Sequence, residues 1–443
     1  MSTLRTPIRI RWWIFWYLFL LAILVFVQRT SLSVAAERMM PELHLSQMKI
    51  GWLMETYTVV YTALQIPGGV LGERIGARAI LITTGVISLI ATVAMPLAPV
   101  LLSGTALFIA LVLAQALLGI AHAPVFPVMM GVFEVWFPKN RWAFANGVNS
   151  SGVNLGTALA PPLIVTLTAA LGWQSALLWI ALPTLVLTAL WGWYGRDTPR
   201  EHPSVTSAEL AELGEIADEP KSPLTLARLL NVLTNRDVLL LALSYLCFNY
   251  AFFLLTNWSF LYLIQERRLS ALQSGWLAIV PPCGAAVGAW VGGILSDRLA
   301  TRHGVRWGYR IVPLVALPLV SVLLLLAMDV GNSSLAVAML TLAFAGVEVN
   351  EGSYWAATMS VARADTMAAG GVLNTGGNLG GVVGIPVIAW LTAHGNWHGA
   401  FATGSAFALI AALLWLLIDA DGHLAALSPG SRDQCSRSSR DPV

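Results

Sequence analysis

The stretch GGVLGERIGAR, residues 68–78, recurs as GGILSDRLATR at residues 292–302. In both copies two glycines, an aliphatic pair, a small residue, an acid and an arginine follow in the same order. Each copy closes a long apolar run. One glycine-rich turn would be weak evidence, but two matching turns at equivalent places predict a duplicated membrane body.

The composition places this body in a lipid bilayer. Of the 443 residues, 57% are hydrophobic and 11% are charged, whereas about 25% are charged in an average soluble domain. Too little polar surface remains to cover a water-soluble protein of this length. The three cysteines suggest no disulfide framework.

Apolar runs of about 20 residues, each long enough to span a bilayer, predict an all-α membrane protein with twelve transmembrane helices in two six-helix halves. We number these spans 1 to 12. They lie near 12–36, 48–72, 78–98, 103–132, 142–171, 174–194, 237–264, 272–296, 311–330, 334–359, 366–393 and 398–419.

The spans divide the chain into five predicted segments. They are an N-terminal segment (1–11), a first half (12–194), a central loop (195–236), a second half (237–420) and a disordered tail (421–443). Arginine and lysine concentrate in the segments before span 1, between even and odd spans, and after span 12. The positive-inside rule therefore predicts that both termini are cytoplasmic. The expected location is the inner (plasma) membrane.

Glycines recur at short spacing in every third span, where small side chains let helix backbones approach closely. They are Gly68, Gly69, Gly72, Gly152, Gly156, Gly284, Gly288, Gly292, Gly376, Gly377, Gly380, Gly381 and Gly384. Static helix packing would explain them. Their recurrence in spans 2, 5, 8 and 11 favours a moving seam between the halves.

Four segments carry a family resemblance: YTALQIPGG (61–69), GIAHAPVFP (119–127), WFPKNR (136–141) and GGVLNTGGNLGG (370–381). From about residue 10 to 420 the chain resembles the major facilitator superfamily, and within it the anion:cation symporter group. Similar members carry galactonate, hexuronate, phthalate, sialic acid or glutamate. The resemblance implies a rocker-switch carrier, with spans 1, 4, 7 and 10 lining a cavity and spans 2, 5, 8 and 11 lining the seam.

The resemblance also implies a cytoplasmic gate made of Glu73 with Arg74 and Arg78, and of Asp297 with Arg298. A carboxylate at a helix end can accept hydrogen bonds from the N-terminus of a neighbouring helix and pair with an arginine. The alternative is that these are ordinary topogenic charges.

Arg29 ends span 1 and follows Gln28, with no acid beside it. It could snorkel to the outer interface, as long basic side chains do. In similar carriers the matching arginine contacts the substrate carboxylate, for which a planar fork of donors is suited. We therefore predict that Arg29 and Gln28 bind substrate.

The chain departs from its relatives at the residues that usually carry protons. An acid normally precedes the arginine of span 1, and here it is Gln28; an arginine and an acid are usual in span 4, and here they are Gln115 and His122. His122 can titrate near neutral pH and is predicted to bind substrate and to take part in proton coupling. Alternatively it is a buried neutral histidine.

Span 10 contributes Glu348 and Glu351, three residues apart on one helical face. Carboxylates inside a span are rare unless they are paired, protonated or in a wet cavity. We hypothesise that Glu351, with Glu348, is the proton acceptor near Arg29 or His122. The competing interpretation is that Glu351 neutralises Arg29 or binds a cationic group of the substrate.

Three further positions match substrate contacts of similar carriers: Tyr61 in span 2, Tyr354 in span 10 and Asn374 in span 11. Tyr61 and Asn374 could instead cap helix breaks created by glycine.

The chain shows no nucleotide-binding loop, zinc spacing or catalytic triad, which predicts a transporter without cofactor, metal or nucleic acid and not an enzyme. The expected partners are a small organic anion, protons and lipid, and the expected state is a monomer. The predicted activity is proton-coupled symport. The alternatives are an uncoupled uniporter or exchanger of an organic acid or zwitterion, and a non-transporting sensor, which the short loop and tail disfavour.

Overall fold

The structure is a computed structural model that describes residues 9–213, 224–268 and 279–421. All regular elements in these ranges are helical. The α-helices are α1 (Ile10–Glu42), α2 (Gln47–Ala63), α3 (Gln65–Ile75), α4 (Ala77–Leu101), α5 (Gly104–His122), α6 (Val125–Trp136), α7 (Trp142–Leu171), α8 (Trp173–Tyr194), α9 (Ser207–Leu213), α10 (Leu226–Thr234), α11 (Arg236–Gln265), α12 (Val280–Asp329), α13 (Ser333–Glu348), α14 (Glu351–Ala362), α15 (Thr366–Ala393) and α16 (Trp397–Trp415).

The described chain contains ten helical stretches long and apolar enough to cross a membrane. One of them, α12, is 50 residues long and contains non-helical Gly304, with φ 79° and ψ 162°. Gly308 then lies against the backbone of Ala300, so the chain folds back and α12 supplies spans 8 and 9. Span 2 is divided between α2 and α3, which are individually short. The prediction of an all-α fold with twelve crossings is confirmed, although the predicted start of span 8 at 272 lies outside the described residues.

We call Ile10–Tyr194 the N-terminal half and Arg236–Trp415 the C-terminal half. The halves meet along two seams: α3 and α6 pack on α15, and α7 packs on α12 and α14. We call the end of the bundle where α1 begins and α16 ends the terminal face. An even number of crossings brings both of these helix ends to one side.

Glycines allow the backbones to touch at these seams. A Cβ added to Gly293 in α12 would lie 2.6 Å from the carbonyl oxygen of Ala143 in α7, and one on Gly371 in α15 would lie 2.6 Å from that of Gln65. Such distances are too short for any side chain, so only glycine permits this approach.

The predicted glycine set only partly coincides with the seams. Gly69 and Gly72 do face Met367 of the other half. The remaining members pack inside one half, as Gly156 does against Ile23 and Gly380 against Leu246. Glycine spacing marks close helix contacts of either kind, and so it cannot by itself identify the contacts that join the halves.

Three spans are broken near the middle of the bundle. Span 2 breaks at Leu64, span 4 at Ala123–Pro124 and span 10 at Val349–Asn350. Proline lacks the amide hydrogen that would continue α5. The buried Asn350 side chain donates to the carbonyl oxygens of Gly346 and Val347 (2.7 and 2.9 Å), which competes with the helical hydrogen bonds there.

The described parts of the central loop attach separately to the two halves. In α9, buried Glu209 accepts the backbone amides of Ile10 and Arg11 at 3.1 and 3.0 Å, and so caps the start of α1. In α10, Arg228 forms an ion pair of 2.7 Å with Asp365, between spans 10 and 11. Each loop helix is therefore anchored to the half beside it.

We expect Gly293→Ala to destabilise the closed terminal face, because its methyl group would overlap the backbone of Ala143. Overpacking of this kind costs about 1–3 kcal/mol. In a variant free of native cysteines, spin labels at the exposed positions Lys139 and Arg302 should then report an additional, longer distance.

The control is Gly192→Ala in α8, where an added Cβ would meet only Ile82 Cδ1 at 3.9 Å. An unchanged distance distribution in Gly293→Ala would contradict the role of this glycine contact.

Candidate functional site

A cavity of about 550 Å³ lies between the halves. Its walls come from spans 1, 2, 4, 5, 7, 10 and 11, which include the four spans that the family resemblance implied. The lining is Phe26, Arg29, Thr30, Leu32, Ser33, Met54, Glu55, Tyr57, Thr58, Tyr61, Gln115, Phe126, Asn146, Asn149, Ser150, Val153, Thr157, Pro161, Tyr245, Asn249, Phe252, Phe253, Thr256, Asn257, Glu348, Glu351, Trp355, Asn374, Asn378 and Ile385.

Carboxylates close the two seams near the terminal face. Asp297 accepts the backbone amides of Ala143 and Phe144, at the start of α7, at 3.0 and 2.8 Å. Glu73 accepts the amide of Met367, at the start of α15, at 2.6 Å. All three hydrogen bonds join opposite halves and satisfy amides that have no partner within their own helix. In this conformation the halves are therefore in contact at the terminal face.

The arginines of the predicted gate have other surroundings. The Arg78 guanidinium donates to the carbonyl oxygen of Gly192 at 2.6 Å, and its backbone amide donates to Asp197 at 2.7 Å. Arg74 and Arg298 are exposed and form no ion pair or hydrogen bond with a described residue. The carboxylates thus join the halves through backbone amides, and Arg78 joins span 3 to span 6 within one half.

Arg29 faces the cavity inside a cage of aromatic rings. Its guanidinium carbon lies 5.4 Å from the Phe26 and Tyr61 ring centroids and 5.6 Å from that of Tyr57. Contacts at this distance are cation–π interactions. Arg29 forms no ion pair or side-chain hydrogen bond with any described residue. Its donors are therefore free to bind a ligand from the cavity, and it does not snorkel away from it.

Gln28 and His122 form a buried network behind this cage. The Gln28 amide group donates to the hydroxyls of Thr92 and Thr184 at 2.9 and 3.0 Å, so its oxygen must accept from His122 Nε2 at 3.1 Å. His122 Nδ1 then accepts from the Tyr57 hydroxyl at 3.1 Å. Neutral histidine satisfies this network completely, and His122 is 0% exposed. Neither Gln28 nor His122 lines the cavity, so they support Tyr57 and do not themselves reach a ligand there.

Glu348 lies at the break in span 10 and bonds to the opposite half. Its Oε2 accepts from the Asn154 amide at 2.6 Å and from the Ser150 hydroxyl at 3.2 Å, both in α7. Its side chain is buried, with 1% exposure, and also contributes to the cavity wall. Rocking of the two halves would change these bonds directly.

Glu351 begins α14 and bonds within its own half. Its Oε1 accepts from the Tyr245 hydroxyl at 2.9 Å, and its Oε2 accepts from the Trp355 ring nitrogen at 2.7 Å. Neither Glu348 nor Glu351 forms an ion pair with an arginine, lysine or histidine of the described chain. The hypothesis that Glu351 is adjacent to Arg29 or His122 therefore has no support in this conformation.

Of the three remaining predicted substrate contacts, two line the cavity and one does not. Tyr61 and Asn374 line the cavity and meet across the seam, where Asn374 donates to the Tyr61 hydroxyl (3.3 Å) and to Gln65 (3.0 Å). Tyr354 does not line it: this side chain is 0% exposed, and its hydroxyl is 2.7 Å from Ser244 Oγ. Tyr354 packs beneath Tyr245 and so supports the cavity wall from behind.

Sequence reasoning missed the partners that hold the carboxylates. Trp355 lies four residues after Glu351, and helical spacing could have identified this pair. Tyr245, Asn154 and Ser150 are remote in sequence, so only the fold brings them to the two glutamates. The described residues contain no group of three or more potential metal ligands.

We expect Gln28→Leu to destabilise the protein, because it leaves the ring N–H of buried His122 without an acceptor. An unsatisfied buried polar group costs about 1–3 kcal/mol. Thermal unfolding of the purified protein should shift to lower temperature by several degrees. The control Thr83→Val removes an exposed hydroxyl that bonds only to its own helix. Equal shifts in the two variants would contradict the proposed network.

The full length of the chain matches known transporters. It is 27% identical to a probable sulfoacetate transporter of Cupriavidus necator over 421 residues, covering 94% of this chain and 95% of the relative. It is 27% identical to a D-galactonate transporter of Escherichia coli, over 91% of this chain and 94% of the relative. A hexuronate transporter of Bacillus subtilis is 26% identical, with 90% and 92% coverage.

Solved structures agree on the fold. The transporter FucP in its outward conformation superposes with a TM-score of 0.70 at 15% identity, over 93% of this chain and 100% of FucP. The proton:xylose symporter XylE gives a TM-score of 0.70 at 13% identity, over 92% and 96%. The family model of the Major Facilitator Superfamily matches residues 18–370. With its apolar spans and these relatives, the chain is a multi-pass membrane transporter that belongs to the Major Facilitator Superfamily.

Proposed function

We propose that this protein is a secondary active carrier that imports a small organic anion together with protons. The terminal face would lie on the cytoplasmic side of the inner membrane. The cavity would open alternately to the two sides of this membrane by the rocker-switch mechanism. The observation that carries the proposal is Arg29, a cation in the cavity with no ion-pair or side-chain hydrogen-bond partner among the described residues. Relatives named for sulfoacetate, galactonate and hexuronate support an acidic substrate.

Arg29 has the properties of an anion receptor. The cage of Phe26, Tyr57 and Tyr61 packs on its guanidinium, and the N–H groups have no acceptor among the described residues. These donors form a planar fork that matches a carboxylate or sulfonate. Because the surroundings are partly buried, the attraction is stronger than it would be in water.

The charge balance of the cavity lining supports proton coupling. Its lining contains one arginine and three glutamates, of which Glu55 is exposed and Glu348 and Glu351 are buried. An anion bound to Arg29 would neutralise the only cation among the described lining residues. Two buried carboxylates would remain without a counter-charge, which is costly in a low dielectric. Protons taken up with the anion would remove this cost.

Glu348 is the better candidate for the proton site. Its bonds to Asn154 and Ser150 cross between the halves, so its protonation can be linked to the motion that exposes the substrate. Its Oε1 accepts no hydrogen bond from a described residue and is available to a proton. His122 is less suited to this role because its neutral form already satisfies both neighbours.

Asp297 and Glu73 would form the cytoplasmic gate. Their bonds to the starts of α7 and α15 must break when the terminal face opens.

An uncoupled uniporter or an exchanger would use the same Arg29 site. Such a carrier would differ from a symporter only in that the proton gradient would not drive accumulation of the substrate. A non-transporting sensor would bind the ligand without moving it.

The first experiment is uptake into proteoliposomes of labelled sulfoacetate, galactonate, glucarate and glucuronate, with and without an inward proton gradient. Accumulation that requires the gradient is expected for at least one acid. Equilibration without accumulation would indicate uniport, and binding without any uptake would indicate a sensor.

We expect Arg29→Gln to weaken binding of the transported acid at least about 30-fold, since loss of one partner of a buried charged contact costs about 2–5 kcal/mol. Arg29→Lys keeps the charge but loses the fork, so its defect should be intermediate. Ligand-induced thermal stabilisation measures both. Arg38→Gln, exposed on the same helix, should bind normally; equal affinity in Arg29→Gln and Arg38→Gln would refute the anion site.

We expect Glu348→Gln to abolish accumulation driven by the proton gradient while exchange of labelled for unlabelled acid continues, because the amide cannot bind the transported proton. Counterflow and gradient-driven uptake in the same vesicles separate the two activities. Glu55→Gln, at the exposed part of the cavity wall, should retain both. Gradient-driven accumulation by Glu348→Gln would rule out this proton site.

A further inference from the structure

The C-terminal side of the cavity contains a second recognition group that anion transport alone does not require. Glu351 is buried, with 5% exposure, yet it lines the cavity. It has no cationic partner in the described chain. It belongs to the C-terminal half, whereas Arg29 belongs to the N-terminal half. Arg29 therefore lies in the wall from the N-terminal half, and the buried carboxylates Glu348 and Glu351 lie in the wall from the C-terminal half.

The donors around Glu351 hold it in one orientation. The Trp355 ring nitrogen can only donate, and the Tyr245 hydroxyl donates to the other oxygen, so each carboxylate oxygen accepts one bond. A carboxylate offers about four acceptor positions. About two therefore remain for a ligand, on a group whose geometry the protein has already organised.

The two donors also supply aromatic faces beside the carboxylate. Tyr245 and Trp355 both line the cavity, and their ring centroids are 6.3 Å apart at an interplanar angle of 80°. Phe252 lines the same wall. A carboxylate flanked by aromatic rings is suited to an organic ammonium group, which gains both ion pairing and cation–π attraction.

Arg29 and Glu351 thus offer complementary receptors in the walls that the two halves contribute to one cavity. We propose that the substrate is zwitterionic: an acid whose anionic group binds Arg29 and whose separate ammonium group binds Glu351 between Tyr245 and Trp355. This inference rests on the proposed function, because it assumes the Arg29 anion site. It leaves Glu348 as the proton site and gives Glu351 a different task.

A ligand of this kind also explains why the two sites lie in different halves. Simultaneous contact with α1 and α14 would draw the N-terminal and C-terminal halves together around it. A simple organic anion could engage only the Arg29 side and would place its uncharged end against a buried carboxylate. Discrimination against such acids is therefore built into the same contact.

The test uses matched ligand series with the purified full-length protein. The ω-amino acids from glycine to 6-aminohexanoate and their N-trimethylated forms are compared with ω-hydroxy acids and unsubstituted acids of equal length. Thermal stabilisation gives the affinities. At least one ammonium-bearing acid should bind at least about tenfold more tightly than its hydroxy and unsubstituted counterparts, a ratio that corresponds to about 1.4 kcal/mol.

Variants test whether Glu351 causes the preference for ammonium-bearing acids. Glu351→Gln should abolish the tenfold preference while leaving the affinity for unsubstituted acids unchanged or improved. Trp355→Phe, which keeps a ring but removes the donor, should reduce the preference and serves if Glu351→Gln does not fold. Glu37→Gln, which changes an exposed carboxylate of α1 outside the cavity lining, should leave the preference intact.

Other outcomes separate this inference from the proposed function. If sulfoacetate or sugar acids bind through Arg29 and no ammonium-bearing acid binds better than its counterpart, the zwitterion inference fails and the anion carrier stands. A preference that persists in Glu351→Gln and Trp355→Phe also refutes it. If no acid of either class depends on Arg29, the proposed function itself fails.

Discussion

The arrangement of the two halves depends on hydrogen bonds that carboxylates of one half accept from backbone amides of the other. Asp297 binds the first turn of α7, and Glu73 binds the first turn of α15. The first amides of a helix have no intrahelical acceptor and carry partial positive charge. Each carboxylate therefore supplies the hydrogen-bond acceptor and the negative charge that the first turn of the opposite helix lacks. Because these bonds hold the terminal face together, the space between the halves widens elsewhere, and the cavity forms there.

Three of the spans that line the cavity are interrupted helices. A continuous helix uses its backbone polar groups internally and offers a ligand only side chains. The breaks at Leu64, Pro124 and Asn350 lie in spans 2, 4 and 10, and each of these spans contributes polar residues to the cavity lining. At the last of these breaks, α13 ends at Glu348 and α14 begins at Glu351. One interruption thus separates two neighbouring carboxylates, so that one bonds to the opposite half and the other stays within its own.

Particular residues show how far sequence reasoning reached. Arg29, Glu348 and Glu351 could be identified because charges within a span are costly and therefore conspicuous, and the structure brings all of them to one cavity. His122 was equally conspicuous but lies behind the wall, where Gln28 and Tyr57 satisfy it. Rarity in a span shows that a polar group needs partners, and it does not show whether those partners are protein atoms or a ligand.

The amino-acid sequence by itself determined the number of crossings, the duplication and the short list of charged residues inside the membrane. These properties follow from apolar length, from the repeated acid-and-arginine turn and from the high energy of charge in hydrocarbon, all of which are local. Only the tertiary structure decided that Glu348 reaches Asn154, that Tyr245 reaches Glu351, and that Arg29 has no ion-pair or side-chain hydrogen-bond partner among the described residues. Such pairings depend on helix rotation and on contacts between residues distant in the chain, which no local pattern specifies.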